Sequence, residues 1–318
     1  MSSQSLGDER IRSLLAALLG AAEPFRIEVI PSHLYVCRKV MQGAEAFLLK
    51  IALASGPGED LLRGVEAQRL AQARGARVAE VVAVSGGASA SEHAFVLQRW
   101  VPGMTGTKAL KTASPGELIS IARSLGRNIA LIHGALRERE LDDRIQELRR
   151  GGWRAQCARR LAARAQACQN TGGLAAELGG TLARRCSRLI EECLEEVGIG
   201  LVHWDLHMDN VVIADAELAA VLDFDRAELG DPLVDFVKVD ATLLMEHPAG
   251  LPPFLEAYSA VHPLGPSWDR RIFLYQGIEY LSALSQLHFF PDEAERYLRL
   301  TRRWLANERH RWQGLASA

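Results

Sequence analysis

Apolar and polar positions change their rhythm several times along the chain. Over residues 8–22 apolar side chains recur at helical spacing behind the acids Asp8 and Glu9, which predicts a capped amphipathic helix. Short β-prone runs follow at 25–30, 34–40 and 46–52. The last two flank Met41-Gln42-Gly43-Ala44-Glu45, a Gly-containing hairpin turn. Residues 59–74 read as a helix, with acids in the first turn and Gly75 just past the end. Two more strands are expected at 78–84 and 94–100, joined by a Gly/Ser-rich turn at 85–91. Beyond Val101-Pro102-Gly103 the rhythm is helical, over 114–134, 137–164, 174–197, 232–246, 252–260, 268–289 and 291–312. Residues 199–225 break that run: two short β-like stretches, 211–213 and 220–222, lie among polar loops. The expected architecture is α+β and bilobal. A small five-stranded lobe with a helix spans residues 1–100, a larger and mostly helical lobe spans 101–318, and segment 97–104 connects them.

Composition narrows the classes. The 318 residues suit two units, and with 48% hydrophobic and 24% charged residues the chain has the make-up of a folded protein rather than a disordered or collagen-like one. A net charge of -2 gives no electrostatic case for binding nucleic acid. No window approaches the roughly 18 apolar residues of a membrane span. The N-terminus lacks the basic region of a signal peptide. Cys37, Cys157, Cys168, Cys186 and Cys193 form no CxxC pair and fit reduced thiols. A cytoplasmic protein is expected, with no membrane or nucleic-acid partner. Among 37 basic residues only Lys39, Lys50, Lys108, Lys111 and Lys238 are Lys. Codon bias explains the Arg excess, but it does not explain a Lys inside an apolar run.

The densest polar stretch is His203-Trp204-Asp205-Leu206-His207-Met208-Asp209-Asn210, preceded by Leu201-Val202 and followed by an apolar strand. Then come Leu222-Asp223-Phe224-Asp225, Gly230-Asp231-Pro232 and Asp235. A merely solvated acidic loop is rarely bracketed by such short strands, and carboxylates this dense beside buried strands are expensive unless they meet cations or substrate protons. Two chemistries compete. His203, Asp205 and His207 are suitable donors for a zinc-type hydrolase, but Asn210 and Asp223 would then be idle. Phosphoryl transfer needs a carboxylate at the acceptor hydroxyl, two oxygen ligands for Mg²⁺ and a cation on the nucleotide phosphates. His-x-Asp-x4-Asn followed by Asp-Phe-Asp supplies the first two in order.

The 203–210 segment resembles the catalytic loop of the aminoglycoside phosphotransferase and choline kinase family, small-molecule kinases distantly related to protein kinases. Asp223 matches the metal-binding Asp of that family's Asp-Phe-Gly-like motif, and Gly230-Asp231-Pro232 with Asp235 matches its Gly-Asp-Pro-x-x-Asp signature. The resemblance covers roughly residues 15–310. It implies a protein-kinase-like fold, a cofactor set of ATP or GTP with Mg²⁺, and a small hydroxylated substrate for a monomer or homodimer. Residue by residue it implies that Asp205 is the catalytic base, that Asn210 and Asp223 hold the metal, and that Lys50 binds phosphate with Glu66 as its partner. Ser32 in the Gly-free turn Pro31-Ser32-His33 is the phosphate-loop candidate, and Gln98 and Trp100 belong to the connector that meets the purine. His203 is expected to bond the backbone around Asp223. His207 and Asp225 are supporting candidates. Trp204 stands where the family has Gly, so Gly-like dihedrals are not expected there. Met208 and Asp209 replace its usual Pro and Gly.

The resemblance also implies an acceptor face on the larger lobe, lined with acids in kinases of polycationic aminoglycosides. Between Arg144 and Arg188, by contrast, Arg far outnumbers the two acids Glu147 and Glu177, and the last helix adds Arg296, Arg299, Arg302, Arg303, Arg309 and Arg311. Asp231, Asp235, Glu256 and Glu279 remain as acids for a cationic acceptor. Trp268, Tyr275, Tyr280, Phe289, Phe290 and Trp304 are aromatics that either pack a core or meet a ring or ammonium group. The leading expectation is O-phosphorylation of an antibiotic or other secondary metabolite. The alternative is a metabolic kinase for choline, homoserine or a sugar.

Overall fold

A computed structural model describes residues 8–20, 24–32, 34–53, 55–86, 93–136, 142–287, 289, 291–306 and 312. In chain order the elements are α1 (Asp8–Leu19), β1 (Arg26–Ile30), β2 (Tyr35–Gln42), β3 (Glu45–Ala52), α2 (Ser55–Ala73), β4 (Val81–Ser85), β5 (Phe95–Arg99), β6 (Met104–Thr105), α3 (Gly106–Leu110), α4 (Pro115–His133), α5 (Asp142–Glu147), α6 (Trp153–Thr171), α7 (Gly173–Cys193) and β7 (Gly200–Val202). They continue with β8 (Val211–Ala214), β9 (Glu217–Val221), β10 (Glu228–Gly230), α8 (Phe236–Val239), α9 (Leu251–Ser259), α10 (Trp268–Leu284) and α11 (Pro291–Ala306). Contacts divide the chain into two compact units. Residues 1–135, 203–228 and 242–261 form the first, and 136–202, 229–241 and 262–318 the second.

In the first unit the strands pair in the order β1-β2-β3-β5-β4, all antiparallel. The hairpin between β2 and β3 closes across Gln42 and Glu45. Gly43 takes φ +57, the left-handed value that a two-residue turn needs at its first position. Alternation along the strands gives the sheet two faces. Phe47, Leu49 and Ile51 of β3 join Val40, Leu97 and, from α1, Ile11 and Leu15 in one core. Leu61 and Val65 of α2 pack with Ala52, Ala94 and Val96 in another. Lys50 lies between Leu49 and Ile51 and therefore faces away from the α1 core. A second sheet, β6-β8-β9, carries the loop regions around 203–210 and 222–225. It packs beside α4, which abuts α9 so closely at Gly126 that an added Cβ would come within 2.3 Å of the Phe254 carbonyl oxygen.

The second unit is built on α6, α7, α10 and α11, with the two-stranded pair β7 and β10. Asp231 is fully buried there. It accepts hydrogen bonds from the Tyr275 hydroxyl at 2.6 Å, an Arg271 N–H at 2.8 Å and the Leu233 N–H at 3.1 Å. Gly230 must be Gly because a Cβ would lie 2.7 Å from the Trp153 ring. In this chain Gly230-Asp231-Pro232 is thus a packing and capping element, and Asp231 is not open to a cationic acceptor. Trp268, Tyr275, Tyr280 and Trp304 are buried, Phe289 is exposed, and Phe290 lies outside the described residues. Arg185 caps the stacked Phe273 and Trp304 rings and donates to the Trp304 and Leu305 carbonyls. Part of the Arg surplus is therefore structural.

Several expected elements differ. The continuous helix over 137–164 is interrupted by a π turn at Leu148–Gly152, because Gly151 adopts φ +101. The helix beyond it runs on to Thr171, and 137–141 lie outside the described residues. Residues 232–246 form short turns around α8 instead of one helix. Val78 makes a lone parallel bridge to Val221, and β4 starts only at Val81. Most of the 85–91 turn, His33, Arg309 and Arg311 lie outside the described residues. No described helix is long and apolar enough to cross a membrane.

Candidate active site

Lys50 reaches the α2 side of the sheet with its side chain only 10% exposed. An ammonium that buried needs compensating charge. It finds Asp223 Oδ1 at 2.9 Å and Asp225 Oδ2 at 2.5 Å, and it sits 4.1 Å above the ring of Tyr35 on β2. Burial works against the charged lysine, but the two carboxylates outweigh it and hold its pKa above the ordinary lysine value. Asp225 is displaced upward from the usual carboxylate range, first by burial and then by the like charge of Asp223, with Lys50 opposing. The Tyr35 hydroxyl is pushed well up by burial and by its hydrogen bond to Asp225. Cys37, opposite Lys50 across the β2–β3 ladder, is raised by burial and stays a thiol.

The 203–210 loop is held mainly by its own side chains. His203 is fully buried. Its Nδ1 accepts the Asp205 N–H at 3.3 Å, which leaves Nε2 to donate to the Leu222 carbonyl at 2.8 Å. Its ring meets Phe224 edge-on at 4.7 Å. His203 thus bonds the backbone beside Asp223, as expected. With both nitrogens engaged it is not a metal donor, so the zinc-type set loses its first ligand. Asn210 donates to the Asp205 carbonyl at 2.9 Å. The His207 ring lies between the two, 3.3 Å from Asn210 Nδ2 and 3.9 Å from Asp205 Oδ1, and accepts the Asp209 N–H. Met208 is buried and fills the space that Gly106 leaves open.

Trp204 departs from expectation. It adopts φ +65, the Gly-like conformation that its Cβ disfavours by roughly 1–2 kcal/mol. The constraints at His203 and Asp205 hold the loop in its turn despite the bulky side chain. Asp223 does the same at φ +61, where a short polar side chain is better tolerated.

These segments border one cavity of about 660 Å³ inside the first unit. Ser32, Lys50, Gln98, Trp100, Asn210, Asp223 and Asp225 line it, so the structure brings those seven expected residues together. Glu66 is not among them, and neither are Asp205, His203 and His207, of which Asp205 and His207 adjoin the lining residue Asn210. The inward stripe of α2 is Leu61, Gly64, Val65 and Gln68, the i, i+3, i+4, i+7 set, and Glu66 falls on the exposed face. Lys50 is held instead by Asp223 and Asp225. Two lining residues were missed, Tyr35 and Gln68. Helical spacing from Leu61 marks Gln68, and a Tyr opening a strand marks Tyr35. Gln68 is 2% exposed; it donates to the Ala79 carbonyl and accepts from Gln98 Nε2 at 2.8 Å.

The donor set suits Mg²⁺. Asp223 is a half-exposed carboxylate, and Asn210, its Nδ2 committed to Asp205, keeps an amide oxygen for a ligand. Among the described residues no three His, Cys, Asp or Glu gather into a self-sufficient metal cluster. An ion held by one or two protein oxygens plus phosphate would need no more protein donors than Asn210 and Asp223.

The family model for the phosphotransferase enzyme family matches residues 38–274. No protein of curated function matches the sequence. Among solved structures, a putative aminoglycoside phosphotransferase from Ralstonia eutropha JMP134 superposes with a TM-score of 0.65 at 15% identity, covering 94% of this chain and 98% of its own. Aminoglycoside phosphotransferase APH(4)-Ia gives 0.66 at 14% identity, covering 96% and 100%. APH(2″)-IIa, in a ternary complex with streptomycin and ATP, gives 0.64 at 15% identity, covering 96% and 98%. Likeness at such identities establishes the fold, that of the protein-kinase-like aminoglycoside kinases. The family match spans about three-quarters of the sequence and takes in the Lys50, 203–210 and 223–225 segments; this chain belongs to the phosphotransferase enzyme family.

Proposed function

We propose that this protein is a cytoplasmic small-molecule kinase that moves the γ-phosphoryl group of ATP or GTP to a hydroxyl of an antibiotic or other secondary metabolite, inactivating it. The observation that carries the reading is the convergence of Lys50, Asn210, Asp223 and Asp225 on one cavity, with Asp205 bonded through its carbonyl to Asn210. The aminoglycoside kinases of the same fold, one of them bound to streptomycin and ATP, support the reaction class. The Arg-rich helices of the second unit favour an acceptor less cationic than an aminoglycoside.

In the mechanism, Asp205 takes the proton of the acceptor hydroxyl as its oxygen attacks the γ-phosphorus. The bond from that phosphorus to the β–γ bridging oxygen breaks, and the nucleoside diphosphate leaves. Lys50 neutralises phosphate charge once the nucleotide draws it off Asp223. Asp225 and the Tyr35 ring keep its ammonium in place during that exchange. Asn210 and Asp223 are the residues for Mg²⁺, which when bound supplies charge compensation across the phosphates. His203 holds the backbone of both loops in register, and His207 orients Asp205 and Asn210. Ser32 borders the phosphate end and Trp100 the base end. Replacing Asp205 by Ala removes the base but no cavity-lining group. Turnover should vanish while calorimetric nucleotide affinity stays within about threefold, since the base contributes to the transition state rather than to ground-state binding. Full turnover in that variant would refute the assignment.

A further inference from the structure

Among the apolar lining residues Leu61, Val65, Ala79 and Val96, the cavity carries one pair of amides, Gln68 and Gln98. Val96, Gln98 and Trp100 alternate along β5 and its extension toward the cavity, while Leu97 points into the α1 core. Gln98 is bonded to Gln68 of α2. An amide side chain can flip, but this pair cannot do so freely. The Ala79 carbonyl only accepts, so Gln68 must turn its NH₂ toward it. That leaves Gln68 Oε1 facing Gln98, which must answer with its own NH₂. A flip of either amide would set two acceptors against each other in a buried site, or leave a buried group unpaired. Gln98 Oε1 accepts no hydrogen bond from any described residue, and Gln98 is a half-buried lining residue. The relay therefore ends in a fixed carbonyl acceptor at the cavity wall.

That acceptor stands at the start of connector 98–101, which lines the cavity and on the phosphotransferase reading meets the hydrogen-bonding edge of the purine. The groups at this edge differ in sign: adenine carries an amino donor at C6, guanine a carbonyl acceptor. We propose that the Gln68–Gln98 relay makes this cavity select adenine over guanine nucleotides. The proposal rests on the phosphotransferase reading and names its phosphate donor as ATP. A guanine would bring O6 against Gln98 Oε1 and leave two acceptors unpaired. A site built for a donor rejects the analogue lacking it far better than a merely apolar wall does.

The test is calorimetric titration of the full-length protein with MgATP and MgGTP, without acceptor, for the wild type, Gln68→Met and Gln98→Met. The wild type is expected to bind ATP at least about tenfold more tightly than GTP. Gln68 fixes the orientation of the Gln98 amide, and its loss frees that amide to rotate. Gln68→Met should therefore bring the ratio to within about threefold, chiefly by tightening GTP binding. Gln98→Met, which removes the acceptor at a less buried position, should do so by weakening ATP binding. Equal affinities in the wild type would overturn the proposal, as would a Gln68→Met protein that is folded by circular dichroism and keeps the full preference. Failure of both nucleotides to bind the wild type would overturn the phosphotransferase reading along with it.

Discussion

Lys50 shows what single residues in this chain do and how much of it was legible. In a sequence whose basic residues are nearly all Arg, a Lys flanked by Leu49 and Ile51 on a third strand stood out. Its partner was misread, because an acid in mid-helix looks equivalent to any other until the helix's inward stripe is known. Asp225 holds Lys50 together with Asp223, so Asp225→Asn should raise the KM for nucleotide about tenfold, consistent with losing one charge-assisted hydrogen bond. Glu66→Gln should change it by less than about twofold, as expected of an exposed site. The reverse order in steady-state kinetics would return the pairing to the helix. A pH dependence follows as well. The folded-state pKa of Lys50 is raised above its value of 10.5 in the unfolded chain. The stability it contributes is therefore fully present below that value and is lost as pH rises through the folded-state pKa. Denaturant unfolding of the wild type and Lys50→Met should show a constant difference from about pH 8 to pH 10 and a narrowing gap above. A difference already shrinking at neutral pH would contradict the ion pairs.

Elements were legible where one periodicity ran uninterrupted, as in β2, β3, α4 and α7. They were not where a backbone conformation decided the outcome. The π turn before α6 depends on the positive φ of Gly151, which an Arg/Gly stretch does not announce. The two-residue β6 and three-residue β7 and β10 are too short for any periodicity to register. The approach of α2 to the 223–225 loop depends likewise on a single missing Cβ. A methyl group on Gly64 would lie 2.8 Å from the Phe224 carbonyl carbon and 2.9 Å from the Asp225 backbone. In an isolated helix Gly→Ala is favourable by about 1 kcal/mol. Here the backbone it meets cannot swing aside like a flexible side chain. Gly64→Ala should therefore lower Tm and raise the KM for nucleotide, by pushing α2 off the loop that carries Asp223 and Asp225. Gly116→Ala in the first turn of α4, with nothing within 4 Å, should instead stabilise by about 0.4–1 kcal/mol. Equal stabilisation of both variants in thermal melts would show that the close approach carries no weight.

At the scale of the whole molecule, the cavity is assembled within one compact unit from chain segments more than a hundred residues apart, 30–105 and 209–225. The motif in 203–225 was readable because its residue types are chemically dense. The amide pair of Gln68 and Gln98 was not, because neither carries a charge and only folding brings them together. The second unit spends Asp231 and part of its Arg on packing, which narrows the groups left for an acceptor. The proposed reaction is transfer of a phosphoryl group to an alcohol through Asp205. Its most direct test is a mass-spectrometric screen of hydroxylated antibiotics, secondary metabolites and small alcohols incubated with the wild type or Asp205→Ala and MgATP. A gain of one phosphoryl mass on a panel member, matched by ADP release and absent with Asp205→Ala, is the predicted result. No phosphorylated product with the wild type, or equal product with Asp205→Ala, would contradict it.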